Sequence, residues 1–307
     1  MILNTGMRTD IPAFYAEWFI NRIKAGYVLV RNPYRPDWIT RYELNSDVVD
    51  CLAFCTKNPA PMFPYMDNLK AFHQYWFVTI TPYGKETEPN VPDKEKVMRD
   101  FIRLSKIVGI DCIGWRYDPI FIDDYYPIER HISDFEKMCR TLSGYTAVCV
   151  ISFIDLYKKV MRNFPQVREV TTYEHAEIGK AFAEIGRQYG ITVKTCAEGT
   201  DLAKYNIDCT GCMTKSTFEK AIHCKLNIPK KKSPRAECAC VLGTDIGAYD
   251  TCGHLCRYCY ANSNQANVKR NLKAHNPDSP FLIGELKKGE IIHPAKQESL
   301  ISHQLTL

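Results

Sequence analysis

The run from Tyr249 to Asn262 carries three cysteines, Cys252, Cys256 and Cys259, at spacings of four and three, with Tyr258 directly before the last. A tight loop with that spacing can turn three thiolates toward one point, which suits a metal ion or an iron–sulfur cluster. A regular strand would send neighbouring side chains to opposite faces, so the segment is expected to be irregular. Three ligands leave the fourth corner of a cube-shaped cluster open. An open corner points to chemistry, by the logic that separates catalytic from structural zinc sites. The competing structural reading is a three-cysteine zinc site completed by His254, two residues from both Cys252 and Cys256. His254 could equally be a loop residue, a donor behind the ligands or an acid.

A second thiol set precedes this loop. The chain has 14 cysteines among 307 residues, too many for packing alone. Cys51, Cys55, Cys112 and Cys149 lie inside strand-like runs and read as packed thiols. Between residues 200 and 250 the chain can bury little apolar core, so metal ligation is expected to hold it. The favoured ligands are Cys196, Cys212, Cys238 and Cys240, because Cys196 ends a strand and is rigidly carried. Cys209 and Cys224 are spares. Iron–sulfur is preferred to zinc here because of the neighbouring loop, and a zinc ribbon on Cys209, Cys212, Cys238 and Cys240 is the structural alternative.

The elements that must position these thiols read as alternating strands and helices. Tyr27–Val30, Cys51–Cys55, Trp76–Ile80, Cys112–Trp115, Ala147–Phe153 and Ile191–Thr195 are the strand runs. Helical spacing links Val97, Phe101, Leu104 and Val108, then Ile132, Phe135, Cys139 and Leu142. A capping-box pattern at Thr171 and Glu174 opens a third helix through Ile178, Phe182, Ile185 and Tyr189. Asp10 reads as the cap of an earlier helix that ends at Gly26. The pattern predicts an α/β fold, a partial (βα)6 TIM-like barrel with a cysteine-rich C-terminal extension; a doubly wound sheet is the alternative. The expected division is a barrel over 1–199, an iron–sulfur region over 200–270 and a tail over 271–307 packing on the body.

In either architecture function belongs at the C-terminal ends of the strands. The polar groups there include Arg8 and Asp10, Lys57 and Asn58, Thr81, Arg116 and Asp118, Asp155, and Glu198. Arg116 and Asp118 close an apolar strand, so they read either as ligand-orienting charges or as a rim ion pair. Net charge is +5, too mild to imply nucleic acid, and Lys230–Lys232 reads as a solvated cluster between prolines. No run of about 18 apolar residues occurs, and Met1–Gly6 lacks the pattern of a secretory signal, so a cytoplasmic location without membrane contact is expected.

Cys252-x3-Cys256-x-Tyr258-Cys259 resembles the signature of radical S-adenosylmethionine enzymes. The whole chain is also similar to a prokaryotic family of unknown function. The stretches that carry this likeness are Arg8–Tyr15, Val30–Pro33, Thr56–Pro59, Trp115–Asp118 and Cys238–Asn262. The first resemblance implies a 4Fe-4S cluster on the three thiolates, chelation of S-adenosylmethionine at the fourth iron, and its reductive cleavage to a 5′-deoxyadenosyl radical acting on an unidentified substrate. It also implies an electron donor such as flavodoxin or ferredoxin. Arg8, Lys57, Asn58, Arg116, Asp118 and Glu198 are then candidates to hold the cofactor. One departure matters: those enzymes place the cluster loop after the first strand, where this chain has Arg8, Thr9 and Asp10. The C-terminal loop must therefore fold back over the strand ends. The rival is a zinc-stabilised binding module on an inert barrel.

Overall fold

The structure is a computed structural model that describes residues 1–229, 238–241 and 243–302; Lys230–Lys232 lie outside the described residues. In chain order the strands are β1 (Ile2–Asn4), β2 (Tyr27–Arg31), β3 (Trp38–Glu43), β4 (Cys51–Thr56), β5 (Gln74–Thr79), β6 (Ile113–Ile120), β7 (Val148–Phe153), β8 (Thr192–Thr195), β9 (Thr244–Asp245) and β10 (Ile291–Pro294). The helices are α1 (Ile11–Phe14), α2 (Ala16–Ala25), α3 (Lys94–Val108), α4 (Ile128–Leu142), α5 (Lys158–Asn163), α6 (Thr172–Gln188), α7 (Lys215–Ile222) and α8 (Gln265–Ala274).

Seven strands form one parallel sheet in the order β8-β7-β6-β5-β4-β1-β9. From β1 to β8 the order runs one way, without the reversal that defines a doubly wound sheet. Tyr27–Arg31 is a strand as expected but leaves this sheet. It pairs antiparallel with β3, and β10 completes a separate three-stranded sheet. The unforeseen seventh strand of the main sheet is β9, which comes from the cysteine-rich region.

Alternation along each strand sorts the side chains onto two faces. Leu52, Phe54, Trp76, Val78, Trp115 and Ile151 join the larger core. The apolar stripes of the flanking helices meet it there, through Val97, Phe101 and Leu104 of α3, Phe135 and Leu142 of α4, and Ile178 and Phe182 of α6. Phe135 stacks on Phe182 with ring centroids 3.7 Å apart and on Trp115 at 5.0 Å. The helix starts are those read from the sequence: Asp10 caps α1 by accepting from Ala13 N, and Thr171 and Glu174 form the capping box of α6.

The opposite face carries Ile2, Cys51, Ala53, Tyr75, Phe77 and Val150. Its cover is α7, whose Phe218, Ala221 and Ile222 are buried against it. This corrects the expectation that residues 200–250 bury little apolar core: the i, i+3, i+4 stripe of α7 packs on the sheet. Further up the same face the side chains turn polar, through Asn4, Cys55, Thr79, Arg116, Asp118 and Ser152. The chain beyond α8 packs on the body, with Trp18 Nε1 donating to Ser279 O at 2.9 Å and β10 paired to β3. Phe218→Ala is expected to cost about 3–5 kcal/mol, read as a lower urea midpoint with an unchanged slope.

Candidate active site

The polar end of this face opens into a cavity of about 540 Å³. Cys252, Cys256 and Cys259 line it together with Lys57, Arg116 and Asp118, so the C-terminal loop does fold back over the strand ends. The loop is irregular, as its spacing required. Asp250 and Leu255 both take left-handed backbone angles, with φ of 57°. That conformation is rare for residues with a Cβ and persists only where surrounding contacts hold it.

Those contacts come from the body. Tyr15 Oη donates to Thr251 O at 2.7 Å, Asn90 Nδ2 to Gly253 O at 2.8 Å, and Arg257 N to Thr87 O at 3.0 Å. Asn262 Nδ2 donates to Cys252 O at 2.9 Å, closing the loop on itself. Gly253 is required by packing, because a Cβ there would lie 2.6 Å from the ring of Phe14. His254 is buried, its Nε2 lies 2.9 Å from Asp10 Oδ2, and its ring packs edge-on to Phe14. The same Asp10 carboxylate accepts from Ala13 N and from Lys57 N at 2.7 Å. It thus ties α1, the end of β4 and the cysteine loop together.

A second buried carboxylate lies on the other side of the loop. Glu88 pairs with Lys57 at 2.8 Å and with Lys94, and accepts from Thr81 Oγ1 at 2.7 Å and from Tyr258 Oη. Burial alone would raise its pKa, but Lys57 and Lys94 outweigh that and hold it at about 2. The aromatic before the third cysteine therefore reaches a charged anchor. Burial pushes the thiols of Cys252, Cys256 and Cys259 above the ordinary range, so cation binding there must displace protons.

The proposed cofactor-binding residues divide. Lys57, Arg116 and Asp118 line the cavity. Lys57 is engaged by Glu88, and Arg116 pairs with Asp118, whose other oxygen accepts from Ser152 Oγ at 2.5 Å. Arg8, Asn58 and Glu198 are not among the residues that line it. Arg8 is drawn aside by Asp245 of β9, 2.8 Å away. Asn58 lies past Thr56, to whose hydroxyl its backbone donates. Glu198 turns back to accept from Phe153 N at 3.0 Å, and burial raises its pKa to about 8.

Of the second thiol set, Cys196, Cys212 and Cys240 converge, all three sulfurs lying within 4.8 Å of one another. Cys238 lines the cavity but stands outside that group, a correction to the four-cysteine set. Thiol contacts from Cys196 and Cys212 hold Cys240 down, and contacts from Cys196 and Cys240 push Cys212 up. Cys55, read as a packed thiol, also faces the cavity, and its burial raises it to about 12.

Two lining side chains point to a polar occupant: Asn4 Oδ1 and Thr9 Oγ1 are buried and have no hydrogen-bond partner among the described residues. Such groups are rare unless a ligand or water satisfies them. Sequence reasoning missed Glu88 and Asn90, which sit in the charged, proline-containing stretch between β5 and α3, and Lys94, the first residue of α3. The one available signal was the repeated acidic pattern between Gly84 and Asp93 beside a strand end.

A one-way parallel sheet with two thiol sets at its C-terminal rim defines an α/β protein with a candidate metal-bearing active site. The chain belongs to the family described as Domain of unknown function (DUF1848), whose model matches residues 2–261, a span that ends just past the three-cysteine loop. No curated protein and no solved structure matches the chain. No helix among the described residues is long and apolar enough to cross a membrane.

Glu88→Gln leaves two buried lysines facing a neutral amide and is expected to destabilise by about 3–5 kcal/mol. Because the folded value of Glu88, about 2, lies below its ordinary 4.5, the stability it contributes is present above about pH 4.5. It is lost as pH falls toward 2, a drop of roughly 3 kcal/mol. Urea unfolding of the native and Glu88→Gln chains across that range checks both, and only the native chain should show this part of the acid limb.

Proposed function

We propose that the chain is a radical S-adenosylmethionine-type enzyme, with a 4Fe-4S cluster on Cys252, Cys256 and Cys259 and S-adenosylmethionine in the adjoining cavity. The observation that carries this reading is the return of the C-terminal loop over the strand ends, where its three thiols share one cavity with Lys57, Arg116 and Asp118.

When bound, the cluster supplies one electron for reductive cleavage of the sulfonium, the source of the 5′-deoxyadenosyl radical that this cofactor pair provides. The chain's own residues bind and orient. Arg116 offers fixed guanidinium donors to a carboxylate, and Asp118 accepts from hydroxyl or amino groups. Asn4 Oδ1 and Thr9 Oγ1 are left to pair with the occupant. Tyr258, Tyr260 and Phe153 line the walls and keep water from the reacting space. At Cys256 burial and the Glu88 carboxylate raise the thiol, and Lys57 partly offsets them. We read the one-way sheet as an open, partial (βα)6-type barrel. The electron is expected from a ferredoxin or flavodoxin in the cytoplasm, and the substrate is a molecule with an unactivated C–H bond.

Anaerobic reconstitution with iron and sulfide should give the broad visible absorbance of a cluster, and reduction should then convert S-adenosylmethionine to 5′-deoxyadenosine. The double variant Cys256→Ala, Cys259→Ala should bring that product to the level seen without protein. Retained cleavage in the variant, or stoichiometric zinc without iron at this loop, overturns the reading.

A further inference from the structure

We propose that Cys196, Cys212 and Cys240 form a separate site for one thiophilic divalent cation of the zinc class, with its fourth position open to the cavity. Cys212 Sγ lies 3.4 Å from Cys196 Sγ and 3.1 Å from Cys240 Sγ. Zinc–sulfur bonds of about 2.3 Å at tetrahedral angles put ligand sulfurs about 3.8 Å apart. The observed set is thus on the scale of a single ion and too tight for the corners of a second cube.

Each thiol is carried by a separately fixed segment. Cys196 follows β8, and its N–H donates to Ile151 O at 3.0 Å. Cys212 precedes α7, its carbonyl accepting from Thr217 Oγ1 at 3.1 Å. Before it, Gly211 takes a φ of +103°, and a Cβ there would meet Ala239 at 3.2 Å, so this close approach requires glycine. Cys240 is held by its neighbour Val241, whose N–H donates to Met213 O at 2.7 Å. The three sulfurs are therefore gathered by backbone contacts and by packing on the sheet.

Three thiolates around a dication leave one net negative charge, and the buried Arg116 guanidinium feels both Cys196 and Cys212. No fourth His, Cys, Asp or Glu among the described residues joins the group. All three cysteines line the same cavity as the Cys252–Cys259 loop, so the free coordination position faces the space where a substrate would sit. An open zinc position binds and polarises a substrate thiolate, imidazole or oxygen donor. The site does not depend on the cluster reading, since it uses none of its ligands.

The full-length chain, purified anaerobically and loaded with cobalt(II) in place of zinc, tests the proposal. About one equivalent should bind with the intense visible absorption of a tetrahedral cobalt thiolate. The Cys256→Ala, Cys259→Ala double variant should keep that spectrum. Cys212→Ser should weaken binding by more than the roughly 10–100-fold that outer contacts of a metal site are worth. Cys238→Ser should leave the spectrum unchanged, and added imidazole should shift it by entering the open position. A spectrum that imidazole does not move, or one that loses thiolate intensity in Cys238→Ser, would mean a closed structural site and overturn the proposal. So would loss of cobalt in the double variant, loading of these three cysteines with iron and sulfide as a cluster, or their oxidation to a disulfide with no metal bound. If Cys212→Ser fails to fold, the Cys238→Ser and imidazole measurements still decide the question.

Discussion

The arrangement depends on a single buried carboxylate. Glu88 collects Lys57 from the end of β4, Thr81 from beyond β5, Lys94 from α3 and Tyr258 from the cysteine loop. Burying one such ion alone is costly, and two lysines beside it more than compensate. Cys256 feels both signs of this group, Glu88 raising its thiol on top of burial and Lys57 lowering it. The interaction that docks the loop thus also shapes the field in which its thiols must give up protons.

Asp10 performs a related task by other means. As a helix cap it spends one oxygen on Ala13 N, an ordinary local role. Its second oxygen receives Lys57 N and the ring of His254, and so draws the loop onto the first helix. Between Asp10 and Glu88 the loop is gripped from two sides, and the left-handed turns at Asp250 and Leu255 are the backbone's accommodation to that grip.

Periodicity made the helices and most of the parallel strands legible, because Phe101, Phe135 and Phe182 repeat on faces that only a helix presents to one core. The three-cysteine loop was legible because thiol spacing is a local property. What was hidden depended on partners far along the chain. The stripe of Phe218, Ala221 and Ile222 was obscured by the lysines and cysteines around it, so the segment read as coreless. Arg8 resembled a free cation at a strand end until β9 brought Asp245 beside it. Nothing in the neighbouring sequence marked Glu88 as buried, and its burial is a consequence of packing. Cys238 and Cys240 are equivalent as a pair on paper, but only Cys240 joins Cys196 and Cys212.

The position of the cysteine loop at the far end of the chain also sets an order of events. Domains emerge from the ribosome N-terminal part first, so β1 to β8 and their helices can pair before residues 252–259 exist. The roof of the cavity is therefore added last, over a rim already carrying Asp10, Lys57, Glu88 and Arg116. Assembly of the site becomes a closing step on a finished body.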